Sequence, residues 1–307
     1  MATSSHKLSL FLTDAADDFM QALADDSRAA AARHDYTLDV AFADNQAVQQ
    51  IQQIYAALHR PEHERPEAVL VLPVHDTILE RVARSSVAAG VAWMCLHRAT
   101  GDLEAVRAAF PEVPAALVTP DHEEIGRLQG QQLIALLKHG GRVLYLEGRN
   151  GNSSVPRRAA GLREAIRGSG IEIGDTIDGN WSVAEAEQAV MRWLRLMIRH
   201  TTVHAVVCQN DAMAIGVRRA FQTVADRPDL MTLPVIGCDG LAHVGRALVD
   251  KGELAATVVL PLSGSVAVDL LVTAKNSGEQ PPCEVILAPQ PYPARPAMRT
   301  PSNTAVA

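Results

Sequence analysis

Short apolar runs alternate with helix-like segments along almost the whole of this 307-residue chain. The runs are rich in β-branched side chains, a pattern typical of parallel strands that are buried on both faces. The segments between them are long enough to carry the chain back across a sheet, which predicts right-handed strand–helix–strand units. The pattern therefore predicts an α/β fold with parallel sheets that helices cover on both faces.

The individual elements follow from this pattern. Strands are predicted at 8–13, 38–42, 68–72, 92–96, 116–118, 142–147, 203–208, 234–237, 256–260 and 284–288, and helices at 18–33, 46–58, 76–89, 122–138, 156–168, 183–199, 211–223, 241–251 and 263–276. Two helix starts, Asp121-x-x-Glu124 and Ser182-x-x-Glu185, have the form of a capping box. Residues 7–118 and 116–260 give similar series of strand–helix steps, which predicts two similar lobes.

Composition and charge exclude several kinds of protein. The formal net charge is -7, whereas a nucleic-acid surface needs a basic stripe, so no nucleic-acid partner is expected. No apolar stretch reaches the length of a membrane span, so we expect no membrane insertion. The first apolar run is too short for a signal-peptide core. The chain as given is therefore expected in the cytoplasm, or in the periplasm if a leader has been removed.

Motifs for catalysis, cofactors and metals are missing from the sequence. The four cysteines show no CxxC spacing, and Cys95, Cys208 and Cys238 lie in strand runs, which favours core thiols. The loop at 148–154 matches neither standard phosphate-loop pattern. No serine or cysteine lies at a recognisable nucleophile turn. The prediction is no catalytic residue, no metal site and no cofactor.

Polar side chains follow several of the predicted strands. In open α/β sheets ligands bind outside the carboxyl ends of the strands, so these side chains are candidate ligand-binding groups. They are Thr13, Asp14 and Asp17 after the first strand, His75 after the third, His97 and Arg98 after the fourth, Asn152 after the sixth, and Asn210 and Asp239 after the next two. For Asn210 and its neighbour Asp211 the alternative is that they only cap the following helix.

Several motifs together resemble a known family. Asn210-Asp211-x-Met213-Ala214-x-Gly216 resembles the NDxMAxGA segment of the type I periplasmic binding proteins, which include the ribose- and galactose-binding proteins and the ligand-binding cores of lactose-repressor-type regulators. The segments VIGCDG at 235–240 and GELAAT at 252–257 resemble further elements of that family. So do Asp121-x-x-x-x-Gly126 and Arg158-x-x-Gly161. The matches follow the family's order from about residue 8 to 290.

The resemblance implies two Rossmann-like lobes with parallel sheets, joined by three crossover strands. The crossovers would lie near 118–120, 260–262 and 288–290. The first lobe would hold 1–118 and 262–288, and the second 119–261 and 289–293, with a disordered tail at 294–307. The lobes would close on a sugar-like ligand like a hinge.

The resemblance also implies roles for particular residues. Family members hold ring hydroxyls with Asp, Asn and Arg and place aromatic rings against the faces of the sugar. The implied ligand-binding positions are Thr13, Asp17, Phe19, Met20, His97, Arg98, Arg158, Trp181, Asn210, Asp239 and Leu260. Phe19 and Trp181 would face each other across the cleft. Core packing for Phe19, loop packing for Trp181 and a structural role for Arg158 are the alternatives.

The chain departs from the family pattern at four polar positions. Leu72-Pro73 replaces a polar residue, His97 an aspartate, Pro156 an arginine and Leu260 a glutamine. A less hydroxylated or partly apolar ligand is thereby left open. Because histidine titrates near neutrality, His97 predicts binding that changes between about pH 5.5 and 7.5, and the adjacent Arg98 is expected to favour neutral His97.

The functional hypothesis is a non-catalytic binding protein for a sugar, polyol or related compound, acting as a sensor or solute-binding component. Its protein partner would be a transporter permease or a signalling kinase. Two alternatives stay open, an enzyme on a doubly wound α/β fold and an interaction module whose ligand cleft has decayed.

Overall fold

A computed structural model of the protein describes residues 6–197, 202–224 and 227–294. Nearly all of the tail predicted at 294–307 and the end of the helix predicted to reach residue 199 lie outside these residues.

Strands and helices alternate along most of the chain, and every predicted strand is present. The elements are β1 His6–Leu12, α1 Asp18–Arg33, β2 Tyr36–Phe42, α2 Ala47–Leu58, β3 Ala68–Val71, α3 Glu80–Ala88, β4 Ala92–Leu96, α4 Leu103–Ala109, β5 Ala115–Pro120, α5 His122–Leu136, β6 Gly141–Glu147, α6 Ser154–Ile166, β7 Ile171–Asp178, α7 Val183–Met197, β8 Ala205–Cys208, α8 Asp211–Gln222, α9 Asp229–Thr232, β9 Val235–Ile236, α10 Ala247–Asp250, β10 Thr257–Val259, α11 Gly264–Ser277, β11 Glu284–Leu287 and β12 Gln290–Tyr292.

The chain divides into two compact units, each built from separate stretches. Among the described residues, the first unit comprises those up to Pro120, Gly151–Ser153 and Pro261–Leu287, and the second comprises those in Asp121–Asn150 and Ser154–Leu260 and those from Ala288 onward. Gly151–Ser153, which the sequence-based limits put in the second lobe, groups with the first unit because its backbone and side chains bond to the segment after β3.

The first unit is built on a six-stranded sheet with the order β11-β5-β4-β3-β1-β2. Every pairing in this sheet is parallel. The central strands β3, β4 and β5 are buried along their whole length, as expected for strands covered on both faces. Phe11 and Trp93 are the largest side chains of the core on one of these faces.

The second unit contains a four-stranded parallel sheet with the order β7-β6-β8-β9. Alternate residues of β6 enter different cores: Leu144 and Leu146 pack in one, and Val143 and Tyr145 in the other. Because successive strand residues point to opposite faces, helices must cover both sides of this sheet. The parallel α/β fold predicted from the sequence is confirmed.

Two glycines of the family-like motifs explain how α5 packs on α6. A side chain at Gly126 would collide with the backbone of Arg158, and one at Gly161 would collide with the backbone of Glu123. The helices therefore touch backbone to backbone, which only glycine allows at these positions. At the start of α5 the side chain of Asp121 accepts a hydrogen bond from Glu124 N at 2.9 Å, as its capping position predicts.

Some elements differ from the sequence-based prediction. β7 was missed because it lies at a sheet edge and is only partly buried, so it lacks the continuous apolar run used to find strands. α4, α9 and β12 were also missed, and all three are short. β12 pairs with β10 in an antiparallel two-stranded sheet, so the sheets are not all parallel. The helix predicted at 241–251 is a π-helical turn, Ala242–Arg246, followed by α10.

Candidate functional site

In the first unit the candidate residues follow three neighbouring strands. β4, β3 and β1 lie side by side in the sheet and run parallel, so their carboxyl ends meet at one edge. Thr13, His75 and His97 therefore lie at the same edge of this sheet, where parallel α/β proteins bind ligands.

Two carboxylates after β1 accept hydrogen bonds from nearby groups. Asp14 accepts hydrogen bonds from Ala16 N at 2.9 Å and from the amide of Asn45 at 2.7 Å. Asp17 caps α1, because its Oδ1 accepts from Phe19 N at 2.8 Å and also faces the amide of the next residue. Burial raises the pKa of Asp17 to about 6, although these backbone hydrogen bonds act in the opposite direction.

The ring of His97 lies against the ring of Phe19, edge to face, with 5.1 Å between centroids. His97 has a φ of 64°, and Arg98 N donates to Leu96 O at 2.8 Å across it. This makes His97 the centre of a tight three-residue turn, a conformation that costs a non-glycine residue of order 1–3 kcal/mol. Both rings are buried, as is Met20 next to Phe19. The structure thus packs two predicted ligand residues together.

The guanidinium of Arg98 is held by groups of the same unit. It donates to the carbonyl of Pro73, and its Nε lies 3.3 Å from Asp76 Oδ1. The negative charge of Asp76 partly offsets the positive charge of Arg98. That positive charge is the reason why the sequence analysis expects His97 to be neutral. The sequence gives no local signal for this pair, because the two residues follow different strands.

The segment after β3 is held by hydrogen bonds to Asn152 and Ser153 of the same unit. Asn152 Nδ2 donates to Val74 O at 3.1 Å, and Ser153 N donates to Asp76 Oδ2 at 2.6 Å. A side chain at Gly151 would collide with the imidazole of His75. The structure therefore brings the predicted residues Asn152 and His75 to one place.

In the second unit Trp181 lies on the backbone of Gly148, where any side chain would overlap the indole ring. The guanidinium of Arg158 lies 5.4 Å from the centre of the same ring. Trp181 has a φ of 66° and is only partly buried. Since a large side chain rarely adopts this conformation, the surroundings hold Trp181 in a strained but defined position.

Arg158 is almost fully buried, at 4% exposure. It donates through Nη1 to the carbonyl of Gln209, and its Nε lies 3.4 Å from His122 Nδ1. Arg158 therefore joins α6 to the end of β8 and supports the ring of Trp181. These contacts fit the structural alternative for Arg158, and a ligand contact stays a prediction.

Asn210 both caps α8 and contacts the loop that carries Trp181. Its Oδ1 accepts from Met213 N at 2.9 Å, and its Nδ2 donates to Trp181 O at 3.1 Å. The capping alternative is thus observed, and the second bond ties the predicted residues Asn210 and Trp181 together. A ligand contact from Asn210 stays a prediction.

Asp239 follows β9 with a φ of 115°. Its amide donates to Val258 O at 2.9 Å, and its carbonyl accepts from Leu260 N at 3.0 Å. β10 and the residue that follows it therefore hold the backbone of Asp239. The side chain of Leu260 is buried, and its backbone amide makes the contact with Asp239. The sequence did not signal the role of Asp211, whose buried carboxylate binds the turn that contains Asp239.

The described part of the chain holds neither a metal-binding cluster nor a membrane-spanning helix. There, no group of three or more His, Cys, Asp or Glu side chains is arranged to hold a metal ion. Across residues 6–197, 202–224 and 227–294, no helix has the length and apolar character needed to cross a membrane. Cys95, Cys208 and Cys238 are buried free thiols, as the sequence predicts.

Comparisons with known proteins agree with this architecture. The family described as "Periplasmic binding protein domain" matches residues 8–279. The D-allose-binding periplasmic protein of Escherichia coli K12 is 31% identical over 173 residues, which are 55% of this chain and 53% of that protein. The ribose import binding protein of the same strain is 30% identical over 133 residues, 43% of this chain and 42% of that protein.

The solved structures include a crystal structure of a galactofuranose binding protein with a TM-score of 0.80 and 20% identity, covering 94% of each chain. Its likeness concerns the fold. The chain spans about half the length of the curated relatives it matches, whereas the family match extends over most of the chain. This protein belongs to the periplasmic binding protein family.

Proposed function

We propose that this chain is a binding protein for a sugar or a related polyol and that it performs no chemistry on its ligand. One observation carries the proposal. His97, Trp181 and Asp239 follow strand ends and have φ angles of 64°, 66° and 115°. Non-glycine residues in such conformations cluster at binding sites, where the surrounding structure keeps them in place. All three are among the residues that the family resemblance assigns to ligand binding.

The chemistry of these residues suits a hydroxylated ring. The Asp239 carboxylate can accept hydrogen bonds from hydroxyl groups, and bonds to a charged acceptor are stronger than neutral ones. The partly exposed indole of Trp181 offers an apolar face for ring C–H groups. Within this proposal Phe19 and Trp181 act as the aromatic contacts, and this assignment stays a prediction.

The proposed location is the periplasm, and the proposed partner is a transporter permease or, in a signalling role, a kinase. The family and the named relatives, a periplasmic allose-binding protein and a ribose import binding protein, support this part of the proposal.

A thermal-shift screen tests the proposal. D-Allose, D-ribose, further sugars, polyols and nucleosides are each added to the purified chain. A compound that binds only the native state at a hundredfold excess over its Kd stabilises it by about 2.7 kcal/mol, which gives a clear rise in Tm. Mass spectrometry should then recover the compound unaltered. A chemically changed compound would favour the enzyme alternative, and no shift with any compound would favour the interaction module.

Asp239→Asn tests whether the carboxylate of Asp239 binds the ligand. It removes a charge but keeps nearly the same shape, so the Tm of the protein alone should change little. Losing a charge-assisted hydrogen bond costs about 1.5–3 kcal/mol, so affinity for the compound found in the screen should fall at least about tenfold. Unaltered affinity would remove Asp239 from the site.

A further inference from the structure

The carboxylate of Asp211, at the first position of α8, is only 2% exposed. Its Oδ2 accepts a hydrogen bond from Gly240 N at 2.8 Å, and its Oδ1 accepts one from Thr257 Oγ1 at 2.8 Å. These partners lie far from Asp211 in the sequence, one in the turn after β9 and the other at the start of β10. The carboxylate therefore joins the beginning of α8 to both segments within the second unit.

The surrounding backbone leaves room for this carboxylate and for little else. A side chain at Gly237 would collide with Asp211 Oδ1, and one at Gly245 would collide with Oδ2. Two separate segments thus carry glycine where the carboxylate lies. Such a fitted space indicates that the position of the carboxylate is specific.

The Gly240 hydrogen bond completes the support of Asp239. The amide of Asp239 donates to Val258 O, and its carbonyl accepts from Leu260 N. Asp211 accepts the hydrogen bond of the next amide, that of Gly240. Without that third bond, Asp239 could leave its φ of 115° and relieve the backbone strain of that conformation. The geometry therefore opposes the relaxation of Asp239.

Keeping a carboxylate in this place is costly. Burial raises the pKa of Asp211 to about 7, and the hydrogen bonds from Thr257, Gly240 and the backbone of Cys238 only partly offset that effect. A carboxylate taken out of water loses its hydration, and hydrogen bonds from the protein must replace it. A cost of this kind is expected where the acceptor geometry serves a function.

We propose that Asp211 is a positioning residue that holds the Asp239–Gly240 turn in its ligand-binding conformation. This inference rests on the proposed function, because it assigns the binding role to Asp239. Asp211 itself acts through the backbone and has no contact with the ligand. What it supplies is a hydrogen-bond acceptor at Gly240 N.

Two substitutions at Asp211 separate the acceptor from the charge. Asp211→Ala removes the acceptor. Asp211→Asn keeps a carbonyl oxygen for Gly240 N, and its amide can donate to the hydroxyl of Thr257, which then accepts; its single oxygen serves fewer donors than the carboxylate does. If Asp211 positions the turn through hydrogen bonding, the asparagine variant should keep the Gly240 bond and most of the wild-type affinity. If only its negative charge at the start of α8 mattered, both variants should lose function alike.

The first measurement needs no ligand. Amide hydrogen exchange should show about tenfold or greater loss of protection at Gly240 in Asp211→Ala, while Val207 in the core strand β8 changes much less. The asparagine variant should retain protection. If Asp211→Ala proves too unstable, Gly245→Ala displaces Oδ2 without removing the carboxylate and should expose the same amide. Equal loss at Gly240 and Val207 would mean that Asp211 only stabilises the fold.

The second measurement uses D-ribose and D-allose as probes in calorimetry. Asp211→Ala should weaken binding of the probe that the wild type binds by about tenfold, because fewer molecules have the competent turn. Adding this change to Asp239→Asn should cost little more, since coupled residues are not additive. Thr257→Val, which keeps the Gly240 bond, should change the affinity less than about threefold.

The outcomes separate the two proposals. If the wild type binds neither these probes nor the other compounds of the screen, the proposed function fails, and exchange at Gly240 alone decides whether Asp211 holds the turn. If a probe binds and the losses from Asp211→Ala and Asp239→Asn simply add, the positioning role is refuted while the binding function stands.

Discussion

Replacing Trp181 with alanine should weaken ligand binding about 10–30-fold while the fold stays cooperative. The Trp181 carbonyl keeps its bond from Asn210 in the variant, because that bond involves only the backbone of residue 181. The ring is partly exposed, and its contacts include the backbone of Gly148, the guanidinium of Arg158 and the apolar core that contains Leu146. A cation–π contact contributes about 0.5–1 kcal/mol at exposed sites and about 2 kcal/mol when desolvated. Because Arg158 is buried and the ring is only partly exposed, the free energy of unfolding should fall by roughly 1–3 kcal/mol.

The expected loss of affinity follows from the area of the ring. An aromatic side chain buries roughly 150–250 Å² in all, and a sugar stacked on one face would cover about a third of it, ~50–80 Å². At about 25 cal/mol per Å² this contributes ~1.3–2 kcal/mol, which corresponds to an affinity about 10–30-fold weaker in the variant.

Calorimetry with the sugar found in the thermal-shift screen measures the affinity, and urea unfolding measures the stability. Trp181→Phe is the matched control, because it keeps an aromatic face at the same position and should lose less than about fivefold in affinity. If Trp181→Ala lowers stability but binds the sugar as tightly as the wild type, Trp181 is a packing residue, and the stacking assignment is refuted.

Three further predictions concern other parts of the chain. Asp17→Asn keeps a good helix cap. The native state of the wild type holds the Asp17 proton up to about pH 6, whereas the unfolded chain releases it at about pH 4, so the free energy of unfolding of the wild type should fall as the pH rises between these values. The variant should lack that fall and be more stable than the wild type at about pH 7.5 by on the order of 1 kcal/mol. Urea unfolding at each pH measures both effects. Gly161→Ala should destabilise the protein by about 2 kcal/mol or more, because the new methyl group meets the backbone of Glu123; a Tm equal to that of the wild type would contradict the close packing of α5 on α6. His97→Ala should flatten any change in sugar affinity between about pH 5.5 and 7.5, whereas equal pH profiles by calorimetry would show that His97 does not touch the ligand.

Much of the fold follows from local sequence. Both faces of β8 are buried. Every residue of the run at 205–208 is therefore apolar, and the sequence alone reveals the strand. Caps such as Asp121 are equally local, since the side chain bonds to an amide three residues away. Positions after strands were also foreseeable, because parallel strands place their carboxyl ends at one edge.

Tertiary structure decided which of these residues meet and what holds them. Asp76 and Arg98 form an ion pair only because β3 and β4 are neighbours in the sheet, and the order of strands in a sheet is a long-range property. The sequence pattern does not predict β7, because an edge strand is only partly buried and needs no continuous apolar run. Asp211 looks like a simple helix-start residue in the sequence, yet its carboxylate binds Gly240 and Thr257. The sequence determines where strands end and which polar groups follow them, whereas packing determines which of those groups support the chain and which remain available to a ligand.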